Sequence, residues 1–205
     1  MTVELWIGQP FDTQHEQVAL ARFMYDMEQR LGRKREIYFV LANCLVGGNQ
    51  IDLVILKQNA IIVVELKECH EPFRATENGK WLTPSGRVVG TGSENPLEQV
   101  GRYRRRWINF LRHRGSRFLS PASLRDLTVE HVTSFVCISP KLHPSVNQDI
   151  PPLPWFRLTG LDQIVGLLEQ HSSDFKFTEA DLRRLIKDLN LRKLDSLESV
   201  VSPEA

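Results

Sequence analysis

With 205 residues and 41% hydrophobic content, the chain can bury one sizeable core and does not require a second domain. Lys and Arg number 26 against 25 Asp and Glu, so net charge neither draws in nor repels a polyanion, and nucleic-acid contact must come from local clustering. Three scattered cysteines, Cys44, Cys69 and Cys137, exclude a disulfide framework or a cysteine-rich zinc site, and no apolar run is long enough to span a bilayer, so a cytoplasmic protein with no membrane contact is expected.

Thr13-Gln14-His15-Glu16 has the pattern of a capping box, and Leu20, Phe23, Met24, Met27 and Leu31 then recur at helical spacing as far as Gly32. Residues Ile37 to Leu41 read as a strand, Gly47-Gly48-Asn49 as a turn, and Ile51 to Leu56 as a second strand. After a Lys57-Gln58-Asn59 turn, the run Ala60 to Lys67 is apolar on both faces until its end, as a central strand should be. The Pro- and Gly-rich stretch Glu71 to Glu94 predicts an excursion with a short hairpin around Trp81.

Asn95-Pro96-Leu97-Glu98 starts a second helix, whose apolar stripe is Leu97, Val100, Trp107, Ile108 and Leu111. His131 to Ser139 predicts another strand, His143 to Pro154 a loop, and Phe156-Arg157-Leu158 a short strand. Closing helices are predicted from near Leu161 and near Thr178, within a span running to residue 198, and residues 199–205 have the composition of a tail or linker. The expected class is α/β with a mixed sheet, and the expected organisation is one domain over residues 1–198 with its core at about 13–168.

Alternate side chains of a strand share a face, so Glu65 and Lys67 point the same way while Leu66 enters the opposite layer. If the preceding strand is hairpin-paired with this one, Asp52 comes to lie beside Glu65. Two neighbouring carboxylates repel unless compensated, and a hard divalent cation such as Mg²⁺ or Mn²⁺ would compensate them. A strand-end Glu-x-Lys by itself is commonly a solvated ion pair. Joined to Asp52 and to the capped helix that follows, it reads as a site for phosphodiester hydrolysis, with the lysine orienting water or offsetting charge on the phosphorane.

These residues resemble the NERD (nuclease-related) domain, a branch of the PD-(D/E)xK nuclease superfamily. The likeness rests on Glu16, on Gly48-Asn49-Gln50-Ile51-Asp52-Leu53-Val54, on Val64-Glu65-Leu66-Lys67, on Trp81 and on Asn95-Pro96-Leu97-Glu98-Gln99. It implies a restriction-endonuclease-like αβββαβ core, with Asp52 and Glu65 as metal ligands, Lys67 as the catalytic lysine, Gln99 positioning water or phosphate, and Glu16 an accessory acid. Ile51 stands where the nominal motif has proline, and His15 where NERD domains usually have glycine. The resemblance further implies a DNA-directed nuclease joined to helicase or kinase domains in DNA-processing or phage-defence proteins; the alternative is a nucleic-acid-sensing or docking module that regulates such a domain.

Glu16 has a plainer role open to it, as the reciprocal partner of Thr13 in the capping box. Downstream of Gln99 lies the densest basic stretch, Arg102, Arg104, Arg105, Arg106, Arg112, Arg114 and Arg117. A solvated helix face is one reading; contact of Arg102, Arg105 and Arg106 with a phosphate backbone is the other. Trp81 and Trp107 are expected in the core, and His70 and His113 are expected to be incidental.

Overall fold

A computed structural model describes residues 2–11, 14–90 and 94–195. The elements run β1 (Val3–Ile7), α1 (Gln14–Leu31), β2 (Tyr38–Val46), β3 (Asn49–Lys57), β4 (Ala60–Glu68), β5 (Arg74–Thr76), α2 (Pro96–Phe118), α3 (Pro121–Arg125), β6 (Thr133–Ser139), β7 (Asn147–Asp149), β8 (Phe156–Gly160), α4 (Leu161–Gln170), α5 (Glu179–Asp188) and β9 (Arg192–Leu194). Seven strands form one mixed sheet in the order β8-β6-β4-β3-β2-β1-β9, and β5 and β7 pair separately.

The antiparallel β2-β3-β4 meander occupies the sheet's centre, with β6 and β8 added parallel to β4 and with β1 parallel to β2. Strand parity sorts the side chains. Val54, Ile61 and Val63 face a layer that includes Val100, Trp107 and Leu111 of α2 and Leu182 and Leu185 of α5. Leu53, Ile55, Ile62, Val64 and Leu66 face Leu20, Phe23 and Met27 of α1 and Ile164 and Leu168 of α4. Both faces of β4 are therefore covered, which explains why its sequence is apolar without alternation. The predicted α/β class and mixed sheet hold, and Trp81 and Trp107 are fully buried.

Several boundaries differ from the sequence reading. β2 extends past Leu41 to Val46, because the turn at Gly47-Gly48 and not an earlier breaker ends it. β6 starts at Thr133, since Val129–His131 is a turn of 3-10 helix. The predicted loop at 143–154 contains β7. The closing helices stop at Asp188 and do not reach 198; β9 follows and pairs antiparallel with β1. The capping role of Thr13 and the tail at 199–205 lie outside the described residues. None of the described helices is long and apolar enough to cross a membrane.

Candidate active site

The site forms where the sheet comes apart. Leu53 and Val64 are the last residues at which β3 and β4 pair with each other, and one step beyond them stand Asp52 and Glu65. On the other side of β3 the ladder pairs Ala42 with Leu53 and Cys44 with Ile51, omitting Asn43 opposite Asp52. Asn43 adopts φ of 47°, a left-handed conformation that asparagine tolerates better than most residues. Its carbonyl accepts from Gln9 N at 3.0 Å, and its side-chain amide donates to Pro10 O at 3.1 Å. Asp52 replaces the missing ladder bond with its own side chain: Oδ2 accepts from the Leu66 amide at 2.7 Å.

Glu65 and Lys67 leave β4 on the α2 face, as their alternation requires, with Lys67 Nζ donating to Glu65 Oε1 at 2.5 Å. Both are buried, and Asp52 is half-buried. α2 reaches them because Asn95 caps it, accepting from Leu97 N at 2.8 Å while its amide donates to the Thr76 and Glu77 carbonyls. Gln99, in the first turn, donates to Tyr103 Oη at 3.0 Å. From the opposite layer, the N-terminus of α1 brings Glu16 and His15 around the strand ends. Glu16, Asp52, Glu65, Lys67 and Gln99 all line one cavity of about 340 Å³, together with His15, Glu68, Arg87 and Gly90.

The electrostatics of this cavity are those of an acid pair short of positive charge. Burial pushes Asp52 up to about 6, with Glu16 adding to the shift, although the Leu66 amide and the Lys67 ammonium pull it down. Glu65 is driven well above the usual carboxylate range by burial and then by the charge of Asp52. Glu65 Oε2 is buried without a hydrogen-bond partner. Two close carboxylates, one with an unused oxygen, fit a hard divalent cation. Among the described residues there is no group of three or more His, Cys, Asp or Glu side chains able to hold a metal ion.

The model of the nuclease-related domain family matches residues 16–139, a stretch that includes every one of the five cavity residues singled out in the sequence. The chain belongs to the nuclease-related domain family. Neither the curated proteins nor the solved structures compared with it include a match. A seven-stranded mixed sheet flanked by helices agrees with the nuclease-like core expected of this family.

The sequence reading missed three neighbours of this nuclease-related site. Tyr103 is buried, and its hydroxyl is pushed up to about 12 by burial and then by the charge of Glu65. It stands four residues after Gln99, the spacing of one helix face, which is the signal that could have revealed it. Arg87 and Gly90 arrive from the excursion, and no local pattern announces them. At the rim, Glu68 lies 3.2 Å from His70 Nε2 and 3.5 Å from His15 Nδ1.

The arginines of α2 divide sharply. Arg102 pairs with Glu94 at 2.6 Å and donates to Asn49 Oδ1 at 2.7 Å. Arg104 donates to backbone carbonyls, Arg112 pairs with Glu130, and Arg114 and Arg117 share Asp188. Arg105 and Arg106 are exposed, with no hydrogen bond or ion pair among the described residues. The stem of Arg106 lies against the Gly47 turn between β2 and β3.

Proposed function

We propose that this nuclease-related domain hydrolyses phosphodiester bonds in DNA at the cavity lined by Asp52, Glu65, Lys67, Gln99 and Glu16. The observation that carries the reading is the convergence of a buried and a half-buried carboxylate and an ammonium where β3 and β4 part, with one carboxylate oxygen unpartnered. A divalent cation, Mg²⁺ or Mn²⁺, held by Asp52 and Glu65 would supply charge neutralisation and a more acidic attacking water. Lys67, fixed on Glu65, presents its ammonium to the phosphoryl oxygen on which negative charge grows. Gln99, tied to Tyr103, orients the water or a non-bridging oxygen. Glu16 holds a proton-accepting carboxylate at the cavity edge. The water's oxygen forms the new bond to phosphorus, its proton passing to the Glu16 carboxylate, as the ester P–O bond breaks; the departing oxygen takes a proton from solvent.

Arg105, Arg106 and, behind its ion pair, Arg102 are the candidates for backbone phosphate contact. The β1–β9 pairing supports taking residues 1–198 as one domain. Three buried, unpaired cysteines support a cytoplasmic setting. The family resemblance supports a place in a larger DNA-processing or phage-defence protein with a helicase or kinase partner domain.

Cleavage of single- and double-stranded DNA and RNA in Mg²⁺ and in Mn²⁺ tests the reading. Native protein is expected to cut DNA and Asp52→Ala to be inert. Lys67→Met is expected to lose on the order of 10²-fold in single-turnover rate while keeping its DNA affinity in Ca²⁺. If native protein cuts no nucleic acid but binds it, the site serves docking and not hydrolysis.

A further inference from the structure

A lysine at a strand end is a poor catalytic device unless something fixes its four-carbon stem, because β4 determines only where Cβ lies and the rest retains its rotamers. Glu65 holds the ammonium from one side. The other side is closed by the excursion. Trp81 anchors that segment: it is fully buried, donates from Nε1 to Thr76 O at 2.9 Å, and stacks on Phe73 at 5.6 Å. Val89, also buried, donates its amide to Trp81 O at 2.9 Å, which fixes the backbone immediately before Gly90.

Gly90 lies so close to Lys67 that an ideal Cβ on it would stand 2.8 Å from Lys67 Cδ, 2.9 Å from Cε and 3.4 Å from Nζ. Packed carbon atoms do not approach that closely. Its φ of 90° independently favours glycine. Resting on the role given to Lys67 above, we propose that Gly90 is a positioning residue whose bare Cα forms the seat holding the Lys67 amine against Glu65 inside the cavity. A side chain there meets the movable end of Lys67 and not rigid backbone, so it displaces the lysine and spares the fold.

Gly79 supplies the matching control. It belongs to the same excursion and has φ of 82°, but an added Cβ would meet nothing within 4 Å. Gly79→Ala therefore reproduces the backbone strain without the contact.

The test is amine labelling of the full chain, followed residue by residue by mass spectrometry without metal, alongside single-turnover cleavage and DNA binding in Ca²⁺. In the native protein Lys67, only 8% exposed, labels slowly, and Lys57, at 1%, reports that the core is intact. In Gly90→Ala, Lys67 labelling is expected to rise about tenfold with Lys57 still protected, because the displaced stem turns towards solvent. Cleavage should fall on the order of 10²-fold, with DNA affinity changed by less than about twofold. Gly79→Ala should match the native protein in all three. If Gly90→Ala unfolds, Gly90→Asn carries the same Cβ on a residue that accepts positive φ, and is read in the same way.

Unchanged Lys67 protection in the folded Gly90 variant overturns the proposal, as does an equal rise in Gly79→Ala or native-rate cleavage by a variant whose Lys67 is exposed. A native protein that cuts nothing, with labelling as expected, overturns the nuclease reading and supports the seat.

Discussion

Asp52 sits where the β3 ladder fails on both sides, and its raised proton affinity has a cost measurable in stability. Between 3.8, its ordinary value, and about 6, the folded chain binds more protons than the unfolded one, so stability falls as pH rises through that window and stays lower above it. In chelator at about pH 8, Asp52→Asn is therefore expected to be more stable than the native protein by about 1 to 3 kcal/mol, with the difference closing as pH falls. Calorimetric unfolding over a pH series checks this; a variant less stable at every pH would mean that Asp52's bond to Leu66 outweighs the cost of burying its charge. Asp52, Glu65 and Lys67 were legible in the sequence because strand parity and a tight hairpin fix their faces. Gly90 and Arg87 were not, because the excursion's path is decided by the burial of Trp81 and not by any periodicity near them.

At the scale of elements, α2 and α5 each carry charges whose roles only packing reveals. The basic run of α2 was visible in the sequence, but its division was not: Glu94, Glu130 and Asp188, all outside the helix, engage most of its members. Arg105 and Arg106 remain available. Replacing both by alanine is expected to flatten the slope of log affinity against log salt for duplex DNA by about 2, and Arg102→Ala to change it by less than about 1. Fluorescence anisotropy across a salt series reads the slopes, and equal effects would mean that Arg102 leaves Glu94 on binding. In α5, Thr178 and Asp181 form a capping box that the Thr178-Glu179-Ala180-Asp181 pattern makes legible, whereas its continuation is not: Asp181 also accepts from Ser120 N at 2.7 Å and from Ser123 Oγ at 2.7 Å, clasping α5 to the start of α3. Burial opposes ionisation of Asp181, yet hydrogen bonds from Ser123 and Thr178 override it and hold the carboxyl at about 2. Its contribution is thus complete above 3.8 and lost as pH falls towards about 2. Asp181→Ala is expected to destabilise the neutral-pH protein by about 3 kcal/mol, with the deficit shrinking in acid, as urea unfolding would measure.

Across the whole molecule, the central meander was readable because its strands are long, apolar and joined by tight turns. The far edge was not. β1 is five residues long and includes Glu4; β9 is three residues long and two of them are basic, so neither shows a strand pattern of its own. What makes them strands is mutual: Glu4, 7% exposed, is neutralised by Arg183 at 2.8 Å and Lys193 at 3.4 Å, and Leu5 stands opposite Leu194. That antiparallel pairing has a mechanical corollary. Leu5 lies opposite Leu194 and Ile7 opposite Arg192, so the free ends of both strands leave from the same end, whereas the cavity opens at the other, near the start of β3 and the finish of β4. Handles attached at Thr2 and Asp195 would load the β1–β9 hydrogen bonds one after another, as a zipper is loaded, and not all together in shear. Force spectroscopy is expected to record β9 peeling away at low force before the β2-β3-β4 meander gives way, so that tension applied at Thr2 and Asp195 strips this edge while the end that carries the cavity is still folded.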